Sequence, residues 1–337
     1  MRLRTILLLT AVGALLAATA CGTDGSSSET AGRIPAASNI LVSIRIGDIL
    51  ADLDLVRLAD DLVSPAGAES ILDQALDEAA EESGIDLRSL TSLLLFGDID
   101  SDEYFGVFME GPFDRSEVLS AFEAAEGPLN EDLYRGLQIY TSGAGDTTIY
   151  FPEAGKILLG SPPAVRDAID VQEGVADGLS GSMMDSFNEL GDPLIKASFD
   201  FPEDILGDEG LIGEVGVPGL DLEMFTGIQS VGVSVDKKRD TFIAAVSLGY
   251  PDEASAKQAV EAFDALVTLT DAFSGGGEPT GLLDKIVISA SGSSASISYS
   301  ATIDELRAAI EGLGELSPDL FGGGGLQDFG IPLPIGP

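Results

Sequence analysis

Three aspartates at alternate positions form a candidate metal-binding pattern in this sequence. Asp98, Asp100 and Asp102 place a carboxylate at every second residue, which is the spacing at the start of many calcium-binding loops. A complete loop of that type has glycine at its sixth position and glutamate at its twelfth, where this chain has Glu103 and Met109. The three aspartates are therefore a candidate calcium site, and a solvent-exposed turn is the alternative.

The residue types available exclude several catalytic mechanisms. The chain has no histidine and one cysteine in 337 residues, which excludes Ser-His-Asp triads, histidine metal ligands and a thiol nucleophile elsewhere than Cys21. Ser234 and Lys237 have Ser-x-x-Lys spacing, but they lie on a predicted strand, where residues three apart point to opposite faces. A pair of carboxylates alone is sufficient for glycoside hydrolysis. A carboxylate-dependent hydrolase therefore remains an alternative, with no catalytic residue assigned and no cofactor expected.

The N-terminus has the features of an export signal. Arg2 and Arg4 precede a short apolar run at residues 6–18, and the small residues Ala18 to Ala20 lead to Cys21. The apolar run is shorter than the roughly 20 residues that span a bilayer, so we expect a cleaved secretory signal. With cysteine directly after the small residues, the segment resembles the lipobox of bacterial lipoproteins, although Ala18 stands where leucine is more usual.

This resemblance implies cleavage before Cys21, a thioether-linked lipid on its sulfur and acylation of the new N-terminus. The protein would then be anchored to a membrane on the extracytoplasmic side. Residues 22–33 are rich in glycine and serine, which is typical of a flexible tether. The alternative is an ordinary signal peptide cleaved after Ala20, which would leave Cys21 as a free thiol.

The charge of the chain restricts its partners. There are 57 acidic and 17 basic residues, and removing the signal peptide loses two arginines and no acid, which takes the formal net charge from −40 to −42. Such a charge repels nucleic acid and anionic lipid surfaces. Because 45% of the residues are hydrophobic, the chain still has enough apolar material for a sizeable core. The acidic surface has two interpretations, solubility and adaptation to salt.

Two similar series of predicted elements indicate an internal repeat. Each series begins with a strand (residues 40–46 and 194–201), continues with a hairpin (90–111 and 228–250), and then has a proline-initiated helix, further strands and a short closing helix (163–171 and 303–313). An additional helix is predicted in the first series, because Ile71, Leu72, Ala75, Leu76 and Ala79 share one helical face.

The predicted fold class is α+β, with two similar halves that each have a mainly antiparallel sheet and helices on one face. The order is that of a ferredoxin-like β-α-β-β-α-β unit with an extra strand and helix. The predicted divisions are a signal peptide (1–20), a lipidated cysteine and linker (21–35), a first repeat (36–175), a linker (176–192), a second repeat (193–315) and a Gly/Pro-rich tail (316–337).

These observations favour a cell-envelope lipoprotein with a non-catalytic binding or scaffolding role. Its expected partners are the membrane, through the lipid, and a protein or an apolar ligand, but not nucleic acid. The alternative within binding proteins is a carrier of an apolar or lipid-like ligand, which would need a concave apolar surface.

Overall fold

A computed structural model of the chain describes residues 32–63, 73–74, 76–77, 80, 85–101, 103–200, 227–273 and 285–308. These residues form an α+β fold built on one sheet of twelve strands, with six α-helices and one 3-10 helix having defined bounds. All neighbouring strands run antiparallel. The predicted α+β class and the antiparallel pairing are confirmed.

The twelve strands are numbered in chain order. They are β1 (Ile40–Ile44), β2 (Ser92–Gly97), β3 (Phe105–Glu110), β4 (Leu129–Tyr134), β5 (Leu137–Ser142), β6 (Thr148–Glu153), β7 (Lys156–Gly160), β8 (Ile195–Asp200), β9 (Ser230–Lys238), β10 (Thr241–Gly249), β11 (Ile286–Ser291) and β12 (Ser294–Thr302).

The helices connect these strands. They are α1 (Ile46–Ala51), α2 (Leu53–Val63), a 3-10 helix (Leu87–Ser89), α3 (Arg115–Glu126), α4 (Pro162–Gln172), α5 (Ser182–Glu189) and α6 (Glu253–Phe273). Helix α3 follows the predicted start signal, since the Asp114 side chain accepts hydrogen bonds from the backbone N–H groups of Ser116 and Glu117. The described residues of the additional predicted helix are helical, and Leu76 is buried in the core.

The strands form one continuous sheet in the order β11-β12-β10-β9-β8-β1-β2-β3-β7-β6-β5-β4. Strands β1 and β8 meet near its centre, where Ser43 lies opposite Lys196. The two predicted hairpins are confirmed as β2–β3 and β9–β10. Strand β4 was not predicted and forms one end of the sheet.

Helices cover both faces of the sheet, which we name after adjacent residues of β1. On the Val42 face, α1, α2 and α3 contribute to one apolar cluster, and α6 packs on a second cluster that includes Val231 and Leu248. On the Leu41 face, α4 and α5 pack on a third cluster that includes Phe96 and Phe108. The expectation of helices on one face is therefore wrong. Strands β1, β2 and β3 carry apolar side chains on both faces, and each face needs a cover to exclude water.

The segment predicted as a linker, 176–192, contains helix α5. Met183 and Phe187, four residues apart, are both buried against the sheet. Helix α5 approaches β9 closely at Gly232, where a Cβ atom would lie 2.6 Å from the Ser186 Oγ. A side chain at this position would require Ser186 to move. The signal peptide, most of the first linker and the tail lie outside the described residues.

Candidate functional site

The aspartates at the β2–β3 hairpin tip organise the turn. The Asn39 side-chain amide donates to the Asp98 carboxylate at 2.6 Å, and the Asp100 backbone N–H donates to the same oxygen at 3.1 Å. The Ile99 N–H in turn donates to the Asn39 side-chain oxygen at 2.6 Å. Asp102 lies outside the described residues. Within the part of the chain that the structure describes, no group of three or more acidic, histidine or cysteine side chains could hold a metal ion.

The β9–β10 tip differs in its environment. Lys237 is buried, and its Nζ donates to the Asp52 carboxylate at 2.6 Å. Ser234 lies on the Leu41 face and Lys237 on the Val42 face, which confirms that the lysine does not serve this serine. Burial raises the pKa of Asp236 above the ordinary aspartate value, partly opposed by the hydrogen bond from the Lys237 N–H.

Two further basic residues are buried where β1 meets β8. The Arg45 guanidinium pairs with the Asp48 carboxylate at 2.7 Å and donates to the Asp192 carbonyl at 2.9 Å. Lys196 Nζ donates to the Gly191 carbonyl at 2.6 Å and lies 4.2 Å from the centre of the Phe187 ring. Burial lowers the pKa of Lys196, and nearby Asp192 partly opposes this shift. These contacts join each predicted repeat to the segment 176–192 between them, so they have a structural explanation.

A row of partly buried apolar side chains crosses the Val42 face, and we call it the apolar row. Strand register places its members side by side on eight consecutive strands. They are, in order across the sheet, Val107, Leu95, Val42, Ala197, Val233, Val246, Ile297 and Ile288. All eight are partly buried, and none has a polar side chain.

The apolar row is bordered along most of its length by more deeply buried side chains, and we call the row with its borders the trough. On one side it is flanked by buried Ile44, Ile195 and Val235, which belong to the cluster under α1 and α2. On the other side it is flanked by buried Val231 and Leu248, along with Ala295, under α6. Seven strand spacings give the row a length of roughly 34 Å. The row is therefore partly accessible beside flanks that α1, α2 and α6 help to bury.

The sequence contained only part of this site. Alternation of Val231, Val233 and Val235 predicted a strand with one apolar face. It did not indicate that the middle valine would be less buried than its neighbours, because this depends on which helices reach the strand. The row takes one residue from each of eight strands, so no local motif encodes it.

Cys21 and the export signal lie outside the described residues, and lipidation remains a prediction. Of the helices in the described part of the chain, none is both long enough and apolar enough to cross a membrane.

Comparison with known proteins gives a structural likeness without a sequence family. No known protein family matches the chain, and no curated protein matches it. Among solved structures, crystal form III of TP0453 matches over 86% of this chain and 98% of its own, with a TM-score of 0.46 and 11% identity. Crystal form I matches over 87% and 98%, with a TM-score of 0.41 and 8% identity. Crystal form IV matches over 83% and 95%, with a TM-score of 0.43 and 11% identity.

Proposed function

We propose that this protein is an exported, lipid-anchored protein of the cell envelope whose body binds an apolar, lipid-like ligand without catalysis. The apolar row is the proposed binding surface, and the lipid on Cys21 is the proposed anchor. The observation that carries the ligand assignment is the row itself, with eight adjacent apolar side chains left partly accessible and, on seven of the eight strands, a buried same-face neighbour on at least one side.

An accessible trough of this kind favours an apolar ligand for an energetic reason. Removing apolar surface from water contributes roughly 25 cal/mol per Å², so a chain-like ligand lying along the row would gain from contact over its whole length. The row supplies no charged or hydrogen-bonding side chain that would select a polar ligand. An extended hydrocarbon chain matches both the shape and the chemistry of the row.

The net charge of the protein restricts the charge of the proposed ligand. With a formal charge of −40 on the full chain, the protein repels anionic molecules at low salt. The buried bases among the described residues, Arg45, Lys196 and Lys237, already contact acids or carbonyl groups. We therefore propose a neutral ligand, such as a diacylglycerol, in preference to an anionic phospholipid.

A pair of matched substitutions tests the binding surface. Ala197 of β8 lies near the middle of the apolar row. Ala245 of β10 is also a partly buried alanine, but it lies on the opposite Leu41 face and serves as the control. In the mature chain carrying Cys21→Ser, Ala197→Phe should fill the trough and weaken binding of a pyrene-labelled diacylglycerol at least tenfold. Ala245→Phe should change the affinity less than twofold.

The same binding titration also gives the results that would contradict the proposal. Thermal melting of both variants establishes that each is folded, since inserting a large side chain can cost about 1–3 kcal/mol. Equal affinities for Ala197→Phe and the parent would contradict the assignment of the row. Tighter binding of pyrene-labelled phosphatidylglycerol than of the diacylglycerol would contradict the neutral ligand.

The anchor has its own test. Replacing Cys21 with serine should release the protein from membranes or leave its precursor unprocessed, as measured by membrane fractionation and the mass of the N-terminal peptide. A Cys21→Ser protein that is cleaved and sediments with membranes like the parent would contradict lipid anchoring, and would leave the ligand proposal unaffected.

We also infer that the two halves are copies of one unit. Outward from the centre, the strand order is β1-β2-β3-β7-β6-β5-β4 on one side and β8-β9-β10-β12-β11 on the other. Each hairpin occupies the second and third places in its half. If the halves are copies, residues 36–175 and 193–315 should superpose with both hairpin tips together, and tips at unrelated positions would contradict duplication.

A further inference from the structure

Strand β11 ends the sheet within a long uncharged segment. Residues 286–303, which cover β11, β12 and the residue after them, contain no charged side chain, although 22% of the chain is charged. Among the described strands, β11 pairs on one side only, with β12. Its six residues, IVISAS, contain no proline. An uncharged edge strand with free backbone groups is a template for pairing with another strand.

The opposite end of the sheet provides a contrast. Strand β4 carries Glu131 and Asp132 in the middle of its six residues. Charged side chains on an edge strand oppose pairing with a second strand, and they are a common protection against aggregation. Strand β11 lacks this protection, and Val287 on its Leu41 face is 58% exposed.

We propose that β11 is a dimerisation edge, at which the β11 strands of two copies of this chain pair antiparallel across a twofold axis. Electrostatics favours this edge for a meeting of two copies, because two molecules with a large charge of the same sign approach most easily where both surfaces are uncharged. A twofold axis also makes the contact self-complementary and closed, so it does not extend to a fibre.

The side-chain pattern selects one register. Residues opposite each other in antiparallel strands share a face, so the axis must pass through a residue position and not between two residues. Two such registers pair five residues of β11, with Ile288 or Ser289 at the axis. Centring on Ile288 places Ile286 opposite Ala290 and Val287 opposite Ser289, whereas centring on Ser289 leaves Ile286 without an opposite residue. The Ile288 register therefore buries more apolar surface.

This register joins the two apolar rows. Ile288 is the last member of the row in each copy, so the Val42 faces and their rows become continuous across the axis. The dimer does not depend on ligand binding by the row, and either proposal can fail without the other.

Two cysteine substitutions in the mature chain carrying Cys21→Ser test the register. Disulfides require Cα atoms within about 7 Å, a condition that opposite residues in antiparallel strands meet. Ile288→Cys should therefore form a disulfide-linked dimer under mild oxidation. Val287→Cys should link at least tenfold more slowly, although Val287 is the more exposed residue, because its two copies would be offset by two positions.

The Cys21→Ser chain itself gives an independent measurement by analytical ultracentrifugation. We expect a monomer–dimer equilibrium that shifts to dimer between 10 mM and 1 M NaCl as salt screens the like charges. Ser289→Glu should weaken the dimer at least tenfold, whereas Ser300→Glu, which adds the same charge on inner strand β12, should weaken it less than threefold. A monomer at all concentrations and salts, or faster linking by Val287→Cys than by Ile288→Cys, would overturn the proposal.

Discussion

The region around β7 and the region around β11 belong to one sheet but differ in how their faces are covered. At β7, Ile157 and Leu159 are buried on the Val42 face and Leu158 is buried on the Leu41 face under α4. At β11, α6 lies on the Val42 face, while Val287 and Ser289 of the Leu41 face are exposed. One sheet therefore combines a part that is covered on both faces with a part whose second face is exposed.

The largest expected effect is on the free energy of unfolding, when a large apolar side chain is truncated to alanine in each of the two regions. Leu158→Ala removes a side chain that is 1% exposed, so we expect it to destabilise the protein by about 2–5 kcal/mol. Ile288→Ala removes a partly buried side chain at the sheet edge, and its cost should be below about 1.5 kcal/mol. Urea unfolding monitored by circular dichroism measures both variants. Equal shifts of the two midpoints would contradict the difference between the regions.

A smaller loss of unfolding free energy is expected when the ion pair that joins the two halves is broken. Lys237 of β9 pairs with Asp52, which lies between α1 and α2, and the lysine side chain is 4% exposed. Lys237→Met leaves the partly buried Asp52 without this partner and should cost about 1–3 kcal/mol. Adding Asp52→Asn should recover part of the loss.

Amide hydrogen exchange shows which strands lose stability in the Lys237→Met variant. If the pair holds the second half against the first, Lys237→Met should lower protection in β9 and β10 and leave β6 and β7 unchanged. A uniform loss of protection across all four strands would indicate that the halves unfold as one unit, and would contradict a local role for the ion pair.

Much of the strand pattern could be predicted from sequence, because alternation of apolar residues is a local signal. Strand β4 could not, since its charged sequence, LNEDLY, lacks that alternation, and an exposed edge strand does not need it. Helix α5 was missed because glycine, serine and methionine around Ser182–Glu189 are typical of a linker, and only Met183 and Phe187 mark its buried side.

The positions of the helices depend on longer-range information. An amphipathic helix shows that one of its sides is buried, but not which face of the sheet it covers. The two-faced cover and the apolar row therefore follow from tertiary packing. The same holds for Lys237, whose burial cannot be inferred from a charged hairpin tip.

The smallest expected effects concern pH, and they arise from carboxyl groups in two kinds of environment. Burial raises the pKa of Asp236. By contrast, hydrogen bonds from Lys285 and from the Thr302 backbone lower the pKa of Glu305 to about 2. Asp236 lies near the β9–β10 hairpin tip, while Glu305 follows β12 and forms an ion pair with Lys285, which precedes β11.

These opposite shifts predict a stability maximum on the acid side of neutrality. A raised folded pKa means that the folded state binds the proton more tightly, so Asp236 adds stability as pH falls through its folded pKa. A lowered folded pKa has the opposite effect, and the contribution of Glu305 is lost as pH falls from about 4.5 to about 2. The melting temperature should therefore rise as pH falls from 7 through the raised pKa of Asp236, and should fall again as pH approaches the lowered pKa of Glu305. Asp236→Asn should reduce the rise, whereas Glu305→Gln should reduce the fall, and a rise unchanged in Asp236→Asn would show that other carboxyl groups cause it.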